Sequence, residues 1–189
     1  TPLKVIKKAR ISSFDKVGVI GAGGGLGIHM LKMLKLNNIS TIGIDTKTEK
    51  FDVCNENGAE FSVSPMENDL NNKIADYTQG NDLDVVIDFV SSKSSLELGA
   101  SILGKGGRLV TLGGSGEQFL ANSADMLVKE LELIGSRYCT KQELKESLNL
   151  YARGLVKPLV SHKTDFNGAE ELHNKIETGD ITGRAGILI

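Results

Sequence analysis

The segment Lys16–Gly27, which reads KVGVIGAGGGLG, constrains the fold of this chain more than any other stretch. A short apolar run opens the segment, five glycines lie from Gly21 to Gly27, and a helical pattern, IHMLKMLKL, follows at once. A strand that passes through bare glycine backbone straight into a helix is typical of the first turn of a parallel α/β sheet. The segment therefore predicts an α/β fold.

The remainder of the sequence agrees with this class. Apolar runs of strand length alternate with segments of helical period, a pattern that builds parallel sheets covered by helices on both faces. The predicted strands are Val17–Ile20, Ser40–Ile44, a weaker one near Glu60–Val63, Val85–Phe89, Arg108–Leu112 and Leu131–Gly135. We therefore expect a doubly wound parallel sheet of about six strands in a three-layer αβα arrangement, the Rossmann fold.

Polar residues predict where helices begin. A hydroxyl followed three residues later by a carboxylate forms a capping box, which satisfies two unpaired backbone donors. This spacing occurs at Thr46 and Glu49, at Ser94 and Glu97, and at Thr140 and Glu143. The Thr1-Pro2 pair predicts a further helix start.

Glycines and the last residues complete the predicted elements. Three glycines follow helical patterns and are expected to end them in a left-handed conformation: Gly58, Gly104 and Gly154. Beyond Pro158 the alternation weakens. There we expect a loop over Lys163–Asn167, a helix near Gly168–Thr178 and a final apolar run, Arg184–Ile189.

The glycine segment also predicts an anion site. Gly24 would allow the backbone to approach a pyrophosphate, and Gly27 would allow the helix to pack closely on the strand. The N–H groups that open the helix, together with its dipole, favour negative charge. A flexible turn without a ligand is the alternative that this motif alone leaves open.

Asp45 narrows the choice of ligand. It lies 18 residues beyond Gly27, at the end of the apolar run TIGID. A carboxylate at that distance can accept hydrogen bonds from both hydroxyls of an adenosine ribose, and it would repel a 2′-phosphate. The sequence therefore predicts NAD in preference to NADP. The alternative is a capping role for Asp45 at the helix expected from Thr46.

Composition excludes several classes of function. The formal net charge of -2 provides no basic field for nucleic acid or an anionic membrane. No apolar run approaches the ~20 residues that span a bilayer, and the first residues show no signal-peptide pattern, so a cytoplasmic location is expected.

Cysteines and histidines predict no metal site. Cys54 and Cys139 are too far apart in sequence to suggest a disulfide scaffold or a zinc cluster. His29, His162 and His173 are scattered and have no partner at metal-ligand spacing. The sequence shows no nucleophile elbow, P-loop ending or paired-carboxylate site. We therefore expect a cofactor-binding chain with neither catalytic residues nor metal ligands of its own.

A series of ordered blocks resembles the medium-chain dehydrogenase/reductase family, and within it the zinc-type alcohol dehydrogenases. The blocks cover essentially the whole chain: TPLKVIKKARI, VGVIGAGGGLG, TIGIDTKTEKF, NGAEFSVS, DVVIDFVSS, KGGRLVTLGGSG, ELELIGSRY and ITGRAGILI. The glycine segment departs from the commonest family form only in carrying Ala22 where a glycine is frequent.

The resemblance implies which residues hold the diphosphate. The backbone of Gly24, Gly25 and Leu26 would contact the pyrophosphate, and the side chain of Arg184 would pair with it. A surface salt bridge is the alternative explanation for a cation at the start of the apolar run Arg184–Ile189.

The resemblance also assigns the two nucleoside ends of NAD. Asp45 and Lys50 would contact the adenosine ribose, although Lys50 is equally compatible with a solvated helix surface. Phe89 and Val90 would line the adenine and ribose cleft.

At the nicotinamide half, the resemblance implies contacts from Leu112, Ser136 and Tyr138, while Thr1 would touch the nicotinamide ring. For Tyr138 the alternative is simple packing beneath its loop.

For domain organisation, the resemblance implies an NAD-binding domain over residues 1–158, with residues 1–10 as an interdomain helix. Residues 159–189 would pack against an N-terminal catalytic domain that this chain lacks. Zinc is expected only in that domain. The chain alone should bind NAD(H) without turning over substrate.

The parent enzyme would transfer hydride between an alcohol and NAD, giving an aldehyde or ketone. It would assemble as a homodimer or homotetramer through the strand near Leu131–Gly135. Two alternatives stay open: a zinc-free quinone or enoyl reductase, which usually uses NADPH, and a non-catalytic NAD-sensing module.

Overall fold

A six-stranded, wholly parallel sheet forms the centre of the protein. The computed structural model describes all 189 residues, Thr1–Ile189. Six strands form this sheet: β1 (Lys16–Ile20), β2 (Ser40–Ile44), β3 (Phe61–Val63), β4 (Leu83–Asp88), β5 (Leu103–Thr111) and β6 (Glu132–Gly135). Their order is β3-β2-β1-β4-β5-β6. The predicted doubly wound sheet of six strands is confirmed.

Eight helices connect or flank the strands. They are α1 (Pro2–Lys8), α2 (Gly27–Leu36), α3 (Phe51–Glu56), α4 (Leu70–Thr78), α5 (Lys93–Ser101), α6 (Ser123–Lys129), α7 (Lys141–Ala152) and α8 (Ala169–Glu177). Short 3-10 turns at Thr48–Lys50 and Phe166–Gly168 precede α3 and α8. None of these helices combines the length and apolar character needed to cross a membrane.

Two apolar cores, one on each face of the sheet, make the three layers. Successive strand residues point to opposite faces, so Val85 and Ile87 of β4 join one core while Val86 joins the other. The first core receives α1, α2 and α3, and the second receives α4 and α5. Strands buried on both faces explain the continuous Val and Ile runs of the sequence.

The strand order reverses between β1 and β4. From β1 the chain winds outward through β2 to β3, then returns to β4 on the opposite side of β1. In open α/β sheets a crevice forms at such a switch point, outside the carboxyl ends of the strands. The fold therefore places a cleft beside the glycine turn that follows β1.

The last thirty or so residues add a separate two-stranded parallel sheet. It pairs β7 (Val160–Thr164) with β8 (Arg184–Ile187). The loop expected over Lys163–Asn167 is thus wrong at Lys163 and Thr164, which pair with Gly186 and Ile187. Because the partners lie more than twenty residues apart, across α8, no local pattern in the sequence revealed the pairing.

The capping prediction is confirmed at one of three helices. Thr140 accepts a hydrogen bond from the Glu143 N–H, and the Glu143 carboxylate accepts one from the Thr140 N–H. At α5 the capping box predicted at Ser94 is wrong. The cap is two residues earlier, at Ser92, with Ser95 as its partner. A serine hydroxyl performs the task that the carboxylate of Glu97 was expected to perform.

At Thr46 no capping box forms. The Lys47 N–H instead donates to the carboxylate of Asp45 at 3.0 Å. The chain makes a turn there, and helical structure begins only at Thr48 as a 3-10 turn. The Asp45 carboxylate thus forms a turn of its own with the Lys47 N–H, two residues on, and the helix start moves past Thr46.

Two of the three glycine predictions hold. Gly154 ends α7 with φ of +71°, and Gly58 follows α3 with φ of +132°. The prediction for Gly104 is wrong, because α5 ends at Ile102 and Gly104 already belongs to β5. Close approach explains this glycine, since a Cβ there would collide with the carbonyl oxygen of Asn81.

The cap of α5 provides a test of these assignments. We expect Ser92→Ala to lower the free energy of unfolding by about 1 kcal/mol, because it leaves the Ser95 N–H without its acceptor. The matched change Ser94→Ala should alter the free energy by less than about 0.5 kcal/mol, since that hydroxyl caps nothing. Urea denaturation measures both values, and a larger loss for Ser94→Ala would contradict the assignment.

Candidate functional site

A cleft of about 620 Å³ opens at the carboxyl ends of β1, β2 and β4, beside the glycine turn. It brings together eight of the twelve residues that the sequence assigned to ligand binding: Gly24, Gly25, Leu26, Asp45, Lys50, Phe89, Val90 and Arg184. Its volume is typical of a small-molecule site.

The glycine turn presents unpaired backbone donors to this cleft. Gly21 turns the chain out of β1 with φ of +75°, a conformation that favours glycine. The N–H of Gly24 donates back to the carbonyl of Gly21 at 3.1 Å, whereas the N–H groups of Gly25 and Leu26 donate to no other protein group. They lie at the start of α2, where the helix dipole adds positive potential. The arrangement suits an anion.

At three glycines of the turn, an added Cβ atom would meet different surroundings. A Cβ on Gly27 would collide with the carbonyl oxygens of Gly21 and Ala22, so this glycine lets α2 pack against the turn. A Cβ on Gly25 would lie 2.9 Å from the Arg184 side chain. A Cβ on Gly24 would meet only the Gly21 oxygen, at 3.2 Å, and would otherwise project into free space. A side chain at position 24 would therefore disturb folding less than a side chain at position 27.

Asp45 follows β2 directly and lies against this turn at the edge of the cleft. Its side chain is largely buried, and its two carboxylate oxygens accept hydrogen bonds from the N–H groups of Gly23, at 2.8 Å, and Lys47, at 3.0 Å. An ionised carboxylate offers about four acceptor positions, so two remain. Asp45 thus acts as the turn-capping residue that the sequence allowed, and it still lines the cleft.

Lys50 is buried, and the solvated position considered from the sequence is wrong. Its ammonium group donates to the carbonyls of Gly179, at 2.5 Å, and Ile181, at 2.9 Å. An exposed ion pair between Lys47 and Asp180 joins the same two parts of the chain. Since an ammonium group has three donors, Lys50 keeps one for a ligand. Lys50 holds the segment before β8 against the cleft.

Arg184 contributes a cation to the cleft. Its N–H donates to the carbonyl of Leu159 at 2.9 Å, and the preceding residue, Gly183, donates to the carbonyl of Gly23 at 3.0 Å. The structure contains no ion pair to its guanidinium group among those at 4 Å or less, so a surface salt bridge does not account for this residue. Its guanidinium charge remains available beside the bare amides of Gly25 and Leu26.

Asp88, which the sequence reasoning missed, organises the cleft wall after β4. Its fully buried carboxylate accepts hydrogen bonds from the N–H groups of Val90 and Ser91 and from the hydroxyl of Ser95. The sequence feature that could have identified Asp88 is an acidic residue at the end of an apolar run, with serines following shortly after. These bonds fix the loop that carries Phe89 and Val90.

The four residues assigned to the nicotinamide half do not line this cleft. Thr1 lines a neighbouring cavity together with Gly25, Leu26 and Arg184. The Lys4 and Lys8 ammonium groups donate to the carbonyls of Arg137 and Gly135, which brings α1 beside the end of β6.

The other three follow β5 and β6. Leu112 packs partly buried against the first core. Ser136 is buried, and its hydroxyl has no hydrogen-bond partner in the structure. Tyr138 is 69% exposed, has φ of +52° and lies against the guanidinium of Arg137.

No group of three or more His, Cys, Asp or Glu side chains in the structure is placed to hold a metal ion. Both cysteines are free thiols. Burial, assisted by the negative charge of Asp45, raises the pKa of the Cys54 thiol to about 12, so it stays protonated at neutral pH. The residues present therefore do not fit a zinc site.

Comparison with known proteins identifies a family and several relatives of this chain. The family model described as zinc-binding dehydrogenase matches residues 25–153, more than half of the chain. An NAD-dependent alcohol dehydrogenase of Sulfurisphaera tokodaii is 28% identical over 97% of this chain and 53% of its own length. An acryloyl-coenzyme A reductase of Metallosphaera sedula is 26% identical over 93% of this chain and 52% of its own length.

A solved structure is similar to this chain over nearly its whole length. The alcohol dehydrogenase from the archaeon Aeropyrum pernix has a TM-score of 0.89 and 28% identity, covering 98% of this chain and 54% of that one. The chain therefore spans about half the length of the relatives it matches.

The different roles of Gly24 and Gly27 can be tested by substitution. We expect Gly27→Ala to lower the free energy of unfolding by about 2 kcal/mol or more, because backbone atoms must move to admit the methyl group. Gly24→Ala should cost less than about 1 kcal/mol, since its methyl group enters open space on all sides but one. Thermal and urea unfolding of the two variants measure this difference, and equal losses would contradict the assignment.

Proposed function

This chain belongs to the zinc-binding dehydrogenase family, and from that premise we propose that its cleft binds NAD(H) as the cofactor half of an alcohol dehydrogenase. One observation carries the proposal: the unpaired N–H groups of Gly25 and Leu26 face a cleft that Gly24 leaves open. Two backbone donors, a helix dipole and the Arg184 cation together suit a diphosphate.

The adenosine would occupy the part of the cleft between β2 and β4. The remaining acceptor positions of the Asp45 carboxylate would receive the ribose hydroxyls, and Lys50, which lines the same cleft, would supply its third donor. Met66, Phe89 and Val90 provide apolar walls for the adenine base. A 2′-phosphate would meet the negative charge of Asp45, which supports NAD over NADP.

When bound, NAD supplies the group that accepts or returns hydride at the nicotinamide ring. The residues of this chain bind and orient it. We assign the nicotinamide half to Thr1, Leu112, Ser136 and Tyr138, which lie along the carboxyl ends of β5 and β6 and beside α1. The hydroxyl of Ser136 is buried without a hydrogen-bond partner, a state that needs an explanation in a folded protein and that supports a polar role for Ser136.

We place the substrate and any zinc outside this chain. Its residues do not fit a metal site, and the chain covers about half of each relative. The reaction proposed for the whole protein is hydride transfer between an alcohol and NAD, with an aldehyde or ketone as product. Residues 1–158 form the cofactor domain in this proposal, and residues 159–189 join it to the catalytic half.

A reductase of the same family is the second candidate. The similarity to an acryloyl-coenzyme A reductase is nearly as strong as that to the alcohol dehydrogenase. Both would use the same cofactor cleft, but reductases of this kind usually use NADPH, so a preference for NAD counts against this candidate. Activity of the whole protein with an alcohol or with an enoyl thioester distinguishes the two candidates directly. A non-catalytic NAD sensor would show neither activity.

The outer edge of the sheet supports a proposal for assembly. Strand β6 pairs only with β5, which leaves its other edge unpaired. Exposed apolar side chains lie on and beside it, among them Leu127, Val128 and Leu133. We propose that two copies pair their β6 strands across a two-fold axis, because the same edge then satisfies both partners.

Calorimetric titration with NAD tests the cleft. We expect the wild-type protein to bind NAD and Gly24→Ala to bind it at least about 10-fold more weakly, because the added methyl group keeps the diphosphate from the amides. Normal thermal unfolding of Gly24→Ala is the control for folding. A folded wild-type protein that shows no heat of binding and no thermal shift with NAD would overturn the proposal.

The choice of cofactor depends on Asp45. We expect Asp45→Ala to weaken NAD binding about 10-fold or more, through loss of charge-assisted hydrogen bonds, and to improve NADP binding relative to NAD. Asp52→Ala, which removes an exposed carboxylate from α3, should leave both affinities unchanged. Titration with each cofactor measures the ratio, and an unchanged preference in Asp45→Ala would contradict this role.

Sedimentation tests the proposed assembly. We expect wild-type protein to sediment as a dimer or a multiple of it, and Leu133→Lys to sediment as a monomer, because a charge at the edge opposes strand pairing. Phe14→Lys replaces an apolar side chain that is more exposed than Leu133 and lies far from β6 in sequence, and this variant should remain associated. A wild-type protein that stays monomeric over a wide concentration range would exclude pairing through β6.

A further inference from the structure

His29 lies in the first turn of α2, and both of its ring nitrogens are engaged. Nδ1 lies 2.7 Å from the carbonyl oxygen of Gly25, and Nε2 lies 3.2 Å from the backbone nitrogen of Leu159. The Leu159 N–H can only donate, so Nε2 accepts. Nδ1 carries the proton and donates to Gly25. This pair of bonds requires the neutral imidazole.

The two bonded residues belong to different parts of the molecule. Gly25 is in the glycine turn, whereas Leu159 immediately precedes β7 in the C-terminal sheet. Leu159 also accepts a hydrogen bond from the Arg184 N–H, and Gly183 donates to Gly23. His29 therefore closes a ring of hydrogen bonds that runs from the turn through Leu159 and Arg184 back to the turn.

The ring determines where the Arg184 side chain lies. A Cβ on Gly25 would come within 2.9 Å of both Cδ and Nε of Arg184, so the arginine stem crosses directly over the turn. The structure gives the guanidinium no ion pair of its own, so its backbone attachment sets its position. Loss of the bond between His29 and Leu159 would remove one of the hydrogen bonds that hold this attachment, alongside the bond from Gly183 to Gly23.

The surroundings of His29 favour the neutral ring. Burial lowers its pKa below the ordinary value of 6.5; the hydrogen bond to Gly25 raises the pKa, and the positive charges of Lys32 on α2 and Arg184 on β8 lower it. The other titratable side chain lining the adjoining cavity is Tyr151 of α7, and no carboxylate lines that cavity.

We propose that neutral His29 is a positioning residue that holds the C-terminal sheet, and with it Arg184, against the glycine turn, so that NAD binding requires the uncharged imidazole. This inference rests on the proposed function, since it concerns the same diphosphate site. Protonation of Nε2 would place an N–H against the Leu159 N–H and break the bond.

The direction of the pH effect follows from this. Because folding lowers the pKa of His29, the folded state binds fewer protons than the unfolded state. The stability that His29 contributes is fully present above pH 6.5 and is lost as pH falls toward the lowered pKa. NAD binding involves only the folded protein, so NAD affinity should fall only as the pH approaches and passes the lowered pKa of folded His29.

Two substitutions at position 29 distinguish the hydrogen bond to Leu159 from the hydrogen bond to Gly25. Gln at position 29 can place an oxygen near the former Nε2 and cannot be protonated, so His29→Gln retains an acceptor for Leu159. Asn is shorter and reaches only the Gly25 carbonyl, so His29→Asn loses that acceptor. His173→Gln removes an exposed histidine on α8 and is the matched control.

The test is NAD titration of the whole chain at about pH 8 and at a series of lower pH values, down to the lowest at which the protein remains folded. At the higher pH we expect His29→Gln to bind like wild type and His29→Asn to bind about 3- to 10-fold more weakly, the range for one neutral hydrogen bond. On acidification the wild type and His173→Gln should lose affinity by a similar factor, while His29→Gln should change little. The protection factor of the Leu159 amide, which is its exchange rate relative to the intrinsic rate at the same pH, should fall in wild type on acidification but not in His29→Gln when both are followed without NAD.

The experiment distinguishes an error in the role of His29 from an error in the proposal that the cleft binds NAD. Folded wild-type protein that binds no NAD at about pH 8 overturns the proposed function. NAD binding with the same pH dependence in wild type and His29→Gln overturns only the role of His29. A wild-type affinity that rises on acidification, as direct attraction between imidazolium and diphosphate would produce, also overturns it.

Discussion

The close approach of α2 to the end of β1 is the constraint on which the rest of the structure depends. Gly27 has no side chain, so the helix begins against the carbonyls of the preceding turn. That contact leaves the N–H groups of Gly25 and Leu26 at a helix start with no protein partner. Unpaired donors of this kind are costly where water is excluded, and an anionic ligand compensates for the cost.

The other walls of the cleft are held in place by polar contacts to backbone groups. Asp45 binds the Gly23 N–H, Asp88 binds the loop after β4, and Lys50 binds two carbonyls before β8. Each buried charge is thereby paired with hydrogen-bond partners, as burial of charge requires. Asp45 and Lys50 therefore both line the cleft and maintain its shape, while buried Asp88 supports the wall from behind, so changes at any of them affect folding as well as the cleft.

Much of the fold and part of the site could be predicted from the sequence. Apolar runs located all six strands of the main sheet, because strands buried on both faces need continuous apolar residues. The glycine spacing and Asp45 identified the cleft. Capping was harder to predict, since several hydroxyls and carboxylates compete for the same few N–H groups, and Ser92 replaced Ser94. Strand β7 was missed because its partner lies beyond α8.

The sequence alone determined the class of fold, the position of the glycine turn and the carboxylate against it, because these depend on local periodicity and on spacing within one βαβ unit. Only the tertiary structure decided what Lys50, His29 and Arg184 contact. Their partners, Gly179, Leu159 and the glycine turn, are more than a hundred residues away along the chain. Contacts at such separation arise from the packing of whole elements, and no local pattern of residues encodes them.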